Sequence, residues 1–526
     1  MGSLRARISS LVICSAAIGL VAHGQSSVER HVILEHVGLP AVDEGLIVDE
    51  THAPNTPEAK KRAAMRAALH TQSERPATLY VAGRVVVKFH EQTSDADRLS
   101  AVQQVSRSAT IEARPSYADF DLVRIDPADD PEAVAAALGD RAEVEYAQAS
   151  YSGWHTLMVP NDPLYATRQW NLPMINLERA WDLQPQAGSS VVVAVLDTGV
   201  AYQNATLIEN VPAFRDETGA RYPALGRVTI PYAGATQLMA PGRFVAPFDF
   251  IWGNAVPLDF DGHGTHVSGT IGQLTNDSIG TAGVAFNVKI MPVKVIDGTW
   301  DFLFGAPNVA TDDIVARGIR YAADNKADVI NMSIGRTGPP NTSPVVEEAI
   351  KYAVSKGVFV VVAGGNEFEV GNPLEVIAEI ASRVDGAVSV AAVDRNKGHA
   401  YYSSTGRYIE LSAPGGSERG FGRDGYVFQQ TFDFAFTDTF LLPPSQYTAP
   451  RFDVLAYIGY IGTSMAAPHV SGLAAMVKQQ GITDPAAIEA AMEQTAIDLG
   501  SSGRDDTFGH GLIDARAALR GLGVAR

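Results

Sequence analysis

Five short apolar runs rich in β-branched residues, at 191–196, 288–295, 328–333, 358–363 and 387–393, alternate along the chain with stretches of helical patterning. A strand buried on both faces reads as a nearly continuous run of Val, Ile, Leu and Ala, whereas a strand with one wet face alternates. Buried strands interleaved with helices leave few architectures open. The pattern predicts an α/β fold with a doubly wound, mostly parallel sheet and helices on both faces. Sheets of this kind bind ligands beyond the C-terminal ends of their strands. Asp197, Ser333 and Asn366 fall at such ends, so the chemistry is expected along that edge.

Three segments carry residues suited to acyl transfer. Val193-Ala194-Val195-Leu196-Asp197-Thr198-Gly199 ends a strand in a carboxylate, and Asp261-Gly262-His263-Gly264-Thr265-His266 sets an imidazole on a Gly-flanked turn into a helix. Gly462-Thr463-Ser464-Met465-Ala466-Ala467-Pro468-His469 places a serine between a tight approach and a small-residue helical start. A serine hydroxyl is a weak nucleophile until a base takes its proton, and a carboxylate can hold that base in one tautomer. Each piece also has a plainer meaning when read alone. Ser464 is a good helix N-cap, and Gly364-Gly365-Asn366 is an ordinary turn. His266, His469 and His510 read as packed structural histidines, since a metal site of paired histidines needs further ligands nearby.

The order Asp, His, Ser, together with a fourth block Ala363-Gly364-Gly365-Asn366-Glu367, resembles the subtilases, the subtilisin-like serine proteases of peptidase family S8. That order is a recognised mark of the family, and the resemblance runs from about residue 161 to about residue 519. It implies a serine endopeptidase working through an acyl-enzyme, with Asp197, His263 and Ser464 as the catalytic residues. Asn366 and the Ser464 backbone N–H are implied as the oxyanion hole. Ser333, Ile334 and Gly335 correspond to the segment that pairs with substrate as an added strand. Ala363, Gly364 and Gly365 would wall the primary pocket, with Glu367 at its rim. On this reading the pocket takes large apolar side chains and Glu367 admits basic ones, giving broad specificity. The same resemblance implies a structural calcium held by Leu274, Asn276, Asp277, Ile279 and Thr281, with Asp162 as a further ligand. The loop is one residue longer than the short form, and the acid expected soon after Asp197 has no counterpart in 201–207.

Upstream, a strand at 85–89, a helix at 95–105, a strand at 120–125, a helix starting on Pro131 and a strand at 144–146 make a small α+β unit. It resembles the ferredoxin-like propeptide of subtilases, which implies a self-processing zymogen inhibited by its own propeptide, with cleavage between 151 and 161. An accessory domain that stays attached is the alternative. Arg5 and Arg7 before an apolar run at 8–22, and small residues near Gly24, predict a secretory signal over 1–24. The run is too short to span a bilayer, so no stable membrane anchor is expected and the destination is extracellular or periplasmic. The only cysteine, Cys14, lies inside it. Residues 25–76 form a polar segment with a short Ala-rich helix at 56–69, in which Lys60-Lys61-Arg62 reads as a solvated face. The propeptide domain is then placed at 77–152 and the catalytic domain at 153–526.

A formal charge of -18 argues against a nucleic-acid partner, leaving protein and peptide substrates and a monomeric enzyme as the expectation. Asp197 and His263 lie further apart in sequence than a compact member needs, which predicts an insertion near 202–258. A second insertion is predicted near 417–458, where Phe432, Phe434 and Phe436 alternate as in a strand with one apolar face. Three rival readings compete with this one: a silent subtilase scaffold that binds peptides without cutting, a nucleotide-binding α/β protein, and a sedolisin-type enzyme. The second lacks a Gly-rich phosphate loop after its first strand, and the third needs a glutamate where His263 stands.

Overall fold

The computed structural model describes residues 12–14, 29–31, 80–114, 118–151, 158–216 and 218–520. Most of the leader and of the polar segment, including 56–69 with Lys60-Lys61-Arg62, and the stretch 152–157 lie outside the described residues. The chain divides into two compact units, one of them Val48–Thr156.

That smaller unit is a four-stranded antiparallel sheet in the order Thr110–Ile111, Asp121–Arg124, Tyr80–Phe89, Val144–Tyr151. In chain order this is 2-3-1-4, the ferredoxin-like arrangement. Its helices begin where local chemistry directs. Ser94 accepts from the Asp97 N–H at 3.2 Å ahead of Asp95–Val105, and Asp130 accepts from the Glu132 N–H at 3.0 Å ahead of Pro131–Gly139. Proline at the first helical position loses no hydrogen bond there. Val85, Val87 and Phe89 alternate inward against Val102 and Leu138 to make a single small core.

The larger unit is built on a seven-stranded sheet that is parallel throughout. Its order is Phe248–Asp249, Lys289–Lys294, Val192–Asp197, Val329–Met332, Phe359–Ala363, Ala387–Val393, Leu411–Pro414. Successive strand residues point to opposite faces, and the core divides accordingly. Val193, Val195, Val361 and Val390 enter one cluster, while Ala194, Leu196, Val360 and Val362 enter the other. The first cluster packs against His263–Gly272 and Thr463–Gln479, the second against Asp312–Asp324 and Pro344–Ser355. Every residue of His263–Gly272 is buried, as is nearly all of Thr463–Gln479, so both helices hold fixed positions on the sheet. The two edge strands escaped the sequence reading because one is two residues long and the other ends on a proline.

Both segments expected as insertions are structured. Ala205–Val211 and Gly226–Tyr232 form an antiparallel ribbon, and Val427–Phe432 pairs with Leu455–Tyr460. The expected strand through Phe432, Phe434 and Phe436 is corrected here: it stops at Phe432. Asp433 accepts from the Ala435 N–H at 3.0 Å and caps a short helix, Phe434–Thr437. The N-cap overrides the alternation, because it satisfies backbone donors that an extended continuation would leave open. The inserts meet through Phe452, whose backbone hydrogen-bonds Pro231 and Ala233 at 3.0 Å on each side. Around it Tyr232, Phe260 and Phe432 pack with ring centroids 5.3–5.8 Å away.

Candidate active site

Asp197 ends its strand fully buried, and one carboxylate oxygen, Oδ1, accepts from both the Thr198 N–H at 2.8 Å and the His263 Nδ1 at 2.7 Å. The pair needs glycine at 264, because a Cβ there would collide with the Gly199 carbonyl and stand 3.2 Å from Asp197 Oδ1. With Nδ1–H facing Asp197, the other ring nitrogen, Nε2, is left as the basic one.

The turn that delivers His263 is organised by a residue the sequence reading passed over. Asp259, wholly buried, accepts at Oδ1 from Thr198 Oγ1, the Asp261 N–H and the Gly262 N–H, and at Oδ2 from the Thr265 N–H and Oγ1, all within 3.0 Å. Five donors on one carboxylate fix strand end, turn and helix start together. Beneath the same turn, Lys294 Nζ reaches the Leu258 carbonyl at 2.9 Å and Asp301 at 2.7 Å with no solvent exposure. The second insert closes the other flank, where Thr431 Oγ1 donates to the Gly262 carbonyl at 2.6 Å.

Ser464 is the second residue of Thr463–Gln479 and 6% exposed, reached through Gly462 at φ 151°. Its hydroxyl donates to the Ser333 carbonyl at 3.1 Å, and Ser333 Oγ returns a bond to the Ser464 carbonyl at 2.8 Å. Asn331 and Ser471 continue this network into the sheet. Among the described hydrogen bonds, none joins Ser464 to His263.

Asn366 follows Phe359–Ala363, and its Oδ1 accepts from the Thr463 N–H at 2.9 Å and from Thr463 Oγ1 at 3.0 Å. Its amide Nδ2 is thereby aimed the other way. A Cβ placed on Gly462 would stand 3.6 Å from both Asn366 Nδ2 and the Ser464 backbone N. Both nitrogens thus lie near one point beside the serine.

The expected substrate segments also converge. Thr463 Oγ1 accepts from the Gly365 N–H at 3.1 Å, which ties the Ala363-Gly364-Gly365 segment to the serine helix, and Ser333 ties the 333–335 segment to the same helix. Gly335 is exposed, Ile334 half-buried, Ala363 and Gly364 buried. Under both segments lies Glu375, which the sequence did not mark. A Cβ on Gly335 would come within 2.6 Å of its Oε2, and one on Gly365 would run into its Cγ. Glu367 is also buried and accepts from the Asn366 N–H at 2.7 Å.

The remaining histidines serve the scaffold. His266 donates from Nε2 to the carbonyls of Val427 and Ile458 at 3.1 Å and stacks on Tyr460. His469 donates from Nδ1 to the Met465 carbonyl and accepts from Asn171 Nδ2, both at 2.8 Å. Burial lowers their pKa values to about 3 and about 4, so both rings stay neutral. His510 lies 3.3 Å from Glu493.

Away from this cluster, the predicted metal loop folds against the start of the larger unit. Asp162 is buried and accepts from the Asn276 N–H at 2.7 Å and the Asp277 N–H at 3.4 Å, and Asn161 accepts from the Ser278 N–H at 2.8 Å. Ile279 is exposed, and Leu274 donates its N–H to the Gln237 carbonyl. The Thr281 hydroxyl is committed to Gln273 and Gln429. Burial, with Asp277 close by, raises the Asp162 carboxyl to about 7, and no basic side chain pairs with either acid among the described residues.

Comparison with known proteins gives the same picture over most of the length. Residues 188–511 match the subtilase family model, and residues 66–150 match the model of the fervidolysin N-terminal prodomain. A thermophilic serine proteinase of Bacillus sp. (strain AK1) is 30% identical over 440 residues, covering 84% of this chain and 88% of the relative. An extracellular protease of Xanthomonas campestris is 32% identical over 378 residues, 69% of this chain and 57% of that protein. Among solved structures, a protease from Pseudoalteromonas arctica aligns with a TM-score of 0.50 at 30% identity, covering 69% of this chain and 99% of that one.

Proposed function

This chain belongs to the subtilase family and is a serine endopeptidase with an N-terminal prodomain, and we propose that Asp197, His263 and Ser464 perform its chemistry with Asn366 in the oxyanion hole. The observation that carries the assignment is the convergence of four chain segments on one edge of the sheet. Asp197 Oδ1 holds His263 Nδ1 at 2.7 Å, while Asn366 Nδ2 and the Ser464 N–H flank one space.

In the resting arrangement the Ser464 hydroxyl sits on the Ser333 carbonyl. Attack requires it to turn to His263 Nε2, which takes the proton as Oγ bonds to the scissile carbonyl carbon. The imidazolium that forms is stabilised by the buried Asp197 carboxylate. The oxyanion is met by the two N–H donors without any reorganisation. His263 then returns the proton to the leaving amine, and water releases the acyl group through the same base. A substrate strand laid along Ser333, Ile334 and Gly335 would pair through its backbone, which tolerates most side chains. Broad acceptance along the substrate follows, with selectivity left to the pocket between that segment and Ala363-Gly364-Gly365, near Glu367.

Secretion and self-processing belong to the same reading. It is supported by the apolar leader, by the printed description of the Xanthomonas relative as extracellular, and by the prodomain match over 66–150. No helix among the described residues is long and apolar enough to cross a membrane. A structural calcium fits the 274–281 loop. Asp162 and Asp277 bring two carboxyl groups together without a basic partner, and a hard divalent cation prefers such oxygen donors. The carbonyls of Leu274, Ile279 and Thr281 and the side-chain oxygen of Asn276 would complete the set, and the bound ion would tie the loop to the N-terminal segment.

The test compares wild-type precursor with Ser464→Ala. Wild type is expected to process itself, digest casein and take up a fluorophosphonate label at Ser464. The variant is expected to stay full length and unlabelled. A labelled Ser464→Ala, or an unlabelled wild type, contradicts the assignment.

A further inference from the structure

An acid enclosed with a second acid has an energetic problem that a cation would solve. Glu375 is 2% exposed, and its Oε2 has no hydrogen-bond partner. Its carboxyl is hydrogen-bonded by the Arg336 backbone N–H and by another carboxyl, Glu367, itself only 8% exposed. The Arg336 guanidinium, also nearby, is already engaged by Asp312 at 2.7 and 2.8 Å, and the Tyr408 hydroxyl donates to the Gly364 carbonyl at 3.3 Å. Burying a carboxylate without a counter-charge is expensive, and the usual relief is protonation or a paired cation.

The position of this acid pair matters more than its discomfort. Glu375 lies directly under Gly335 and Gly365, one in each of the two segments expected to frame the primary pocket. Any side chain at either position would have to displace it. Glycine at both leaves room for the Glu375 side chain between the two segments, with Oε2 against Gly335. Glu367, with its backbone fixed to Ser404 Oγ at 3.1 Å and its carboxylate on the Asn366 N–H, stands beside that path. Two carboxyl groups between the segments expected to frame a substrate pocket suit a long side chain ending in a cation.

We propose that Glu375, with Glu367, makes this an endopeptidase that cleaves after lysine or arginine. The inference deepens the proposed function and rests on it. The ammonium or guanidinium donates a charge-assisted hydrogen bond to Glu375 in a site shielded from water, whereas a phenylalanine or leucine would bring no cation to the acid pair. Tolerance at the other substrate positions is unaffected, since those pair through the backbone.

The experiment profiles kcat/KM on a peptide series identical except for Lys, Arg, Phe, Leu or Ala before the scissile bond, using active enzyme titrated with a fluorophosphonate. The expected result is a preference for Lys and Arg over Phe of about 100-fold. In Glu375→Gln the Lys-to-Phe ratio should fall by about 10-fold or more. A labelled wild type that favours Phe or Leu overturns the inference and leaves the proposed chemistry standing. An unchanged ratio in Glu375→Gln overturns the role of Glu375 in the same way. Enzyme that takes no label overturns the chemistry, and the pocket assignment with it.

Discussion

Asp197 and Glu375 are both buried carboxyl groups at one edge of the sheet, yet their surroundings treat them in opposite ways. Asp197 shares one oxygen between a backbone N–H and His263, and the turn carrying that histidine is pinned by five donors on Asp259. Glu375 faces Glu367, and burial together with that second acid pushes its carboxyl well above the usual range. One acid has its imidazole partner built into the chain. The other is left for a partner to arrive. A fold that carries both spends stability on the pocket side that it does not spend on the triad side, and the difference locates where substrate, and not the protein, completes the electrostatics.

The largest effect that sharpens this contrast is on the triad side. Ser464→Ala and His263→Ala are expected to lower kcat by about 10⁶, the usual magnitude for triads of this order, while near-UV circular dichroism stays native. A loss below about 100-fold would mean that the imidazole does not serve Ser464 as base. Next comes Asn366→Ala, which removes one of two oxyanion donors and should cost about 10²–10³ in kcat with little change in KM. That magnitude is the one typical of such donors. A rise in KM alone would show that Asn366 binds substrate and does not stabilise the transition state.

A smaller effect concerns the acids of the metal loop. The raised Asp162 pKa means the folded state holds that proton more tightly than the unfolded chain. In calcium-free protein its contribution is therefore fully present below pH 4 and is lost as pH rises through about 7. Glu410 and Glu489, raised to about 8 and about 7, act in the same direction. Calcium would favour the ionised carboxylates, so the rise in Tm on adding calcium should be larger at pH 8 than at pH 5. An equal or absent calcium shift at both pH values removes the metal from the loop.

The smallest expected effect concerns Glu375 itself. Its raised pKa carries the same sign, with stability present at acid pH and lost as pH rises through the folded-state value. Glu375→Gln should therefore raise Tm at pH 8 by about 2 °C or more and leave it nearly unchanged at pH 4. A lower Tm at pH 8 would mean the carboxylate has a stabilising partner, which would erase the contrast with Asp197.

What was readable in the sequence follows from how local each signal is. The central strands announce themselves because burial on both faces selects a composition, and Asp197, His263 and Ser464 lie in short blocks with glycines at tight approaches. Asn366 drew attention only through the resemblance that the other blocks carry, since Gly364-Gly365-Asn366 alone is an ordinary turn. Glu375 was not legible, since it stands in Asn372-Pro373-Leu374-Glu375-Val376, an ordinary entry to the helix Val376–Ala381. Only the folding of that entry beneath Gly335 and Gly365 gives it meaning. Asp259 was hidden for a similar reason, as its donors include Thr198, 61 positions earlier in the chain. The Phe432, Phe434, Phe436 alternation misled because a single N-cap, Asp433, decides locally against the period.

The convergence of the triad is tested most directly by a crystal structure of the mature enzyme with a peptide boronate bound to Ser464. The account predicts His263 within hydrogen-bond distance of both Asp197 and the Ser464 adduct, and one boronate oxygen held by Asn366 Nδ2 and the Ser464 N–H. An adduct oxygen turned away from Asn366, with Ser464 still beyond reach of the imidazole, would contradict it.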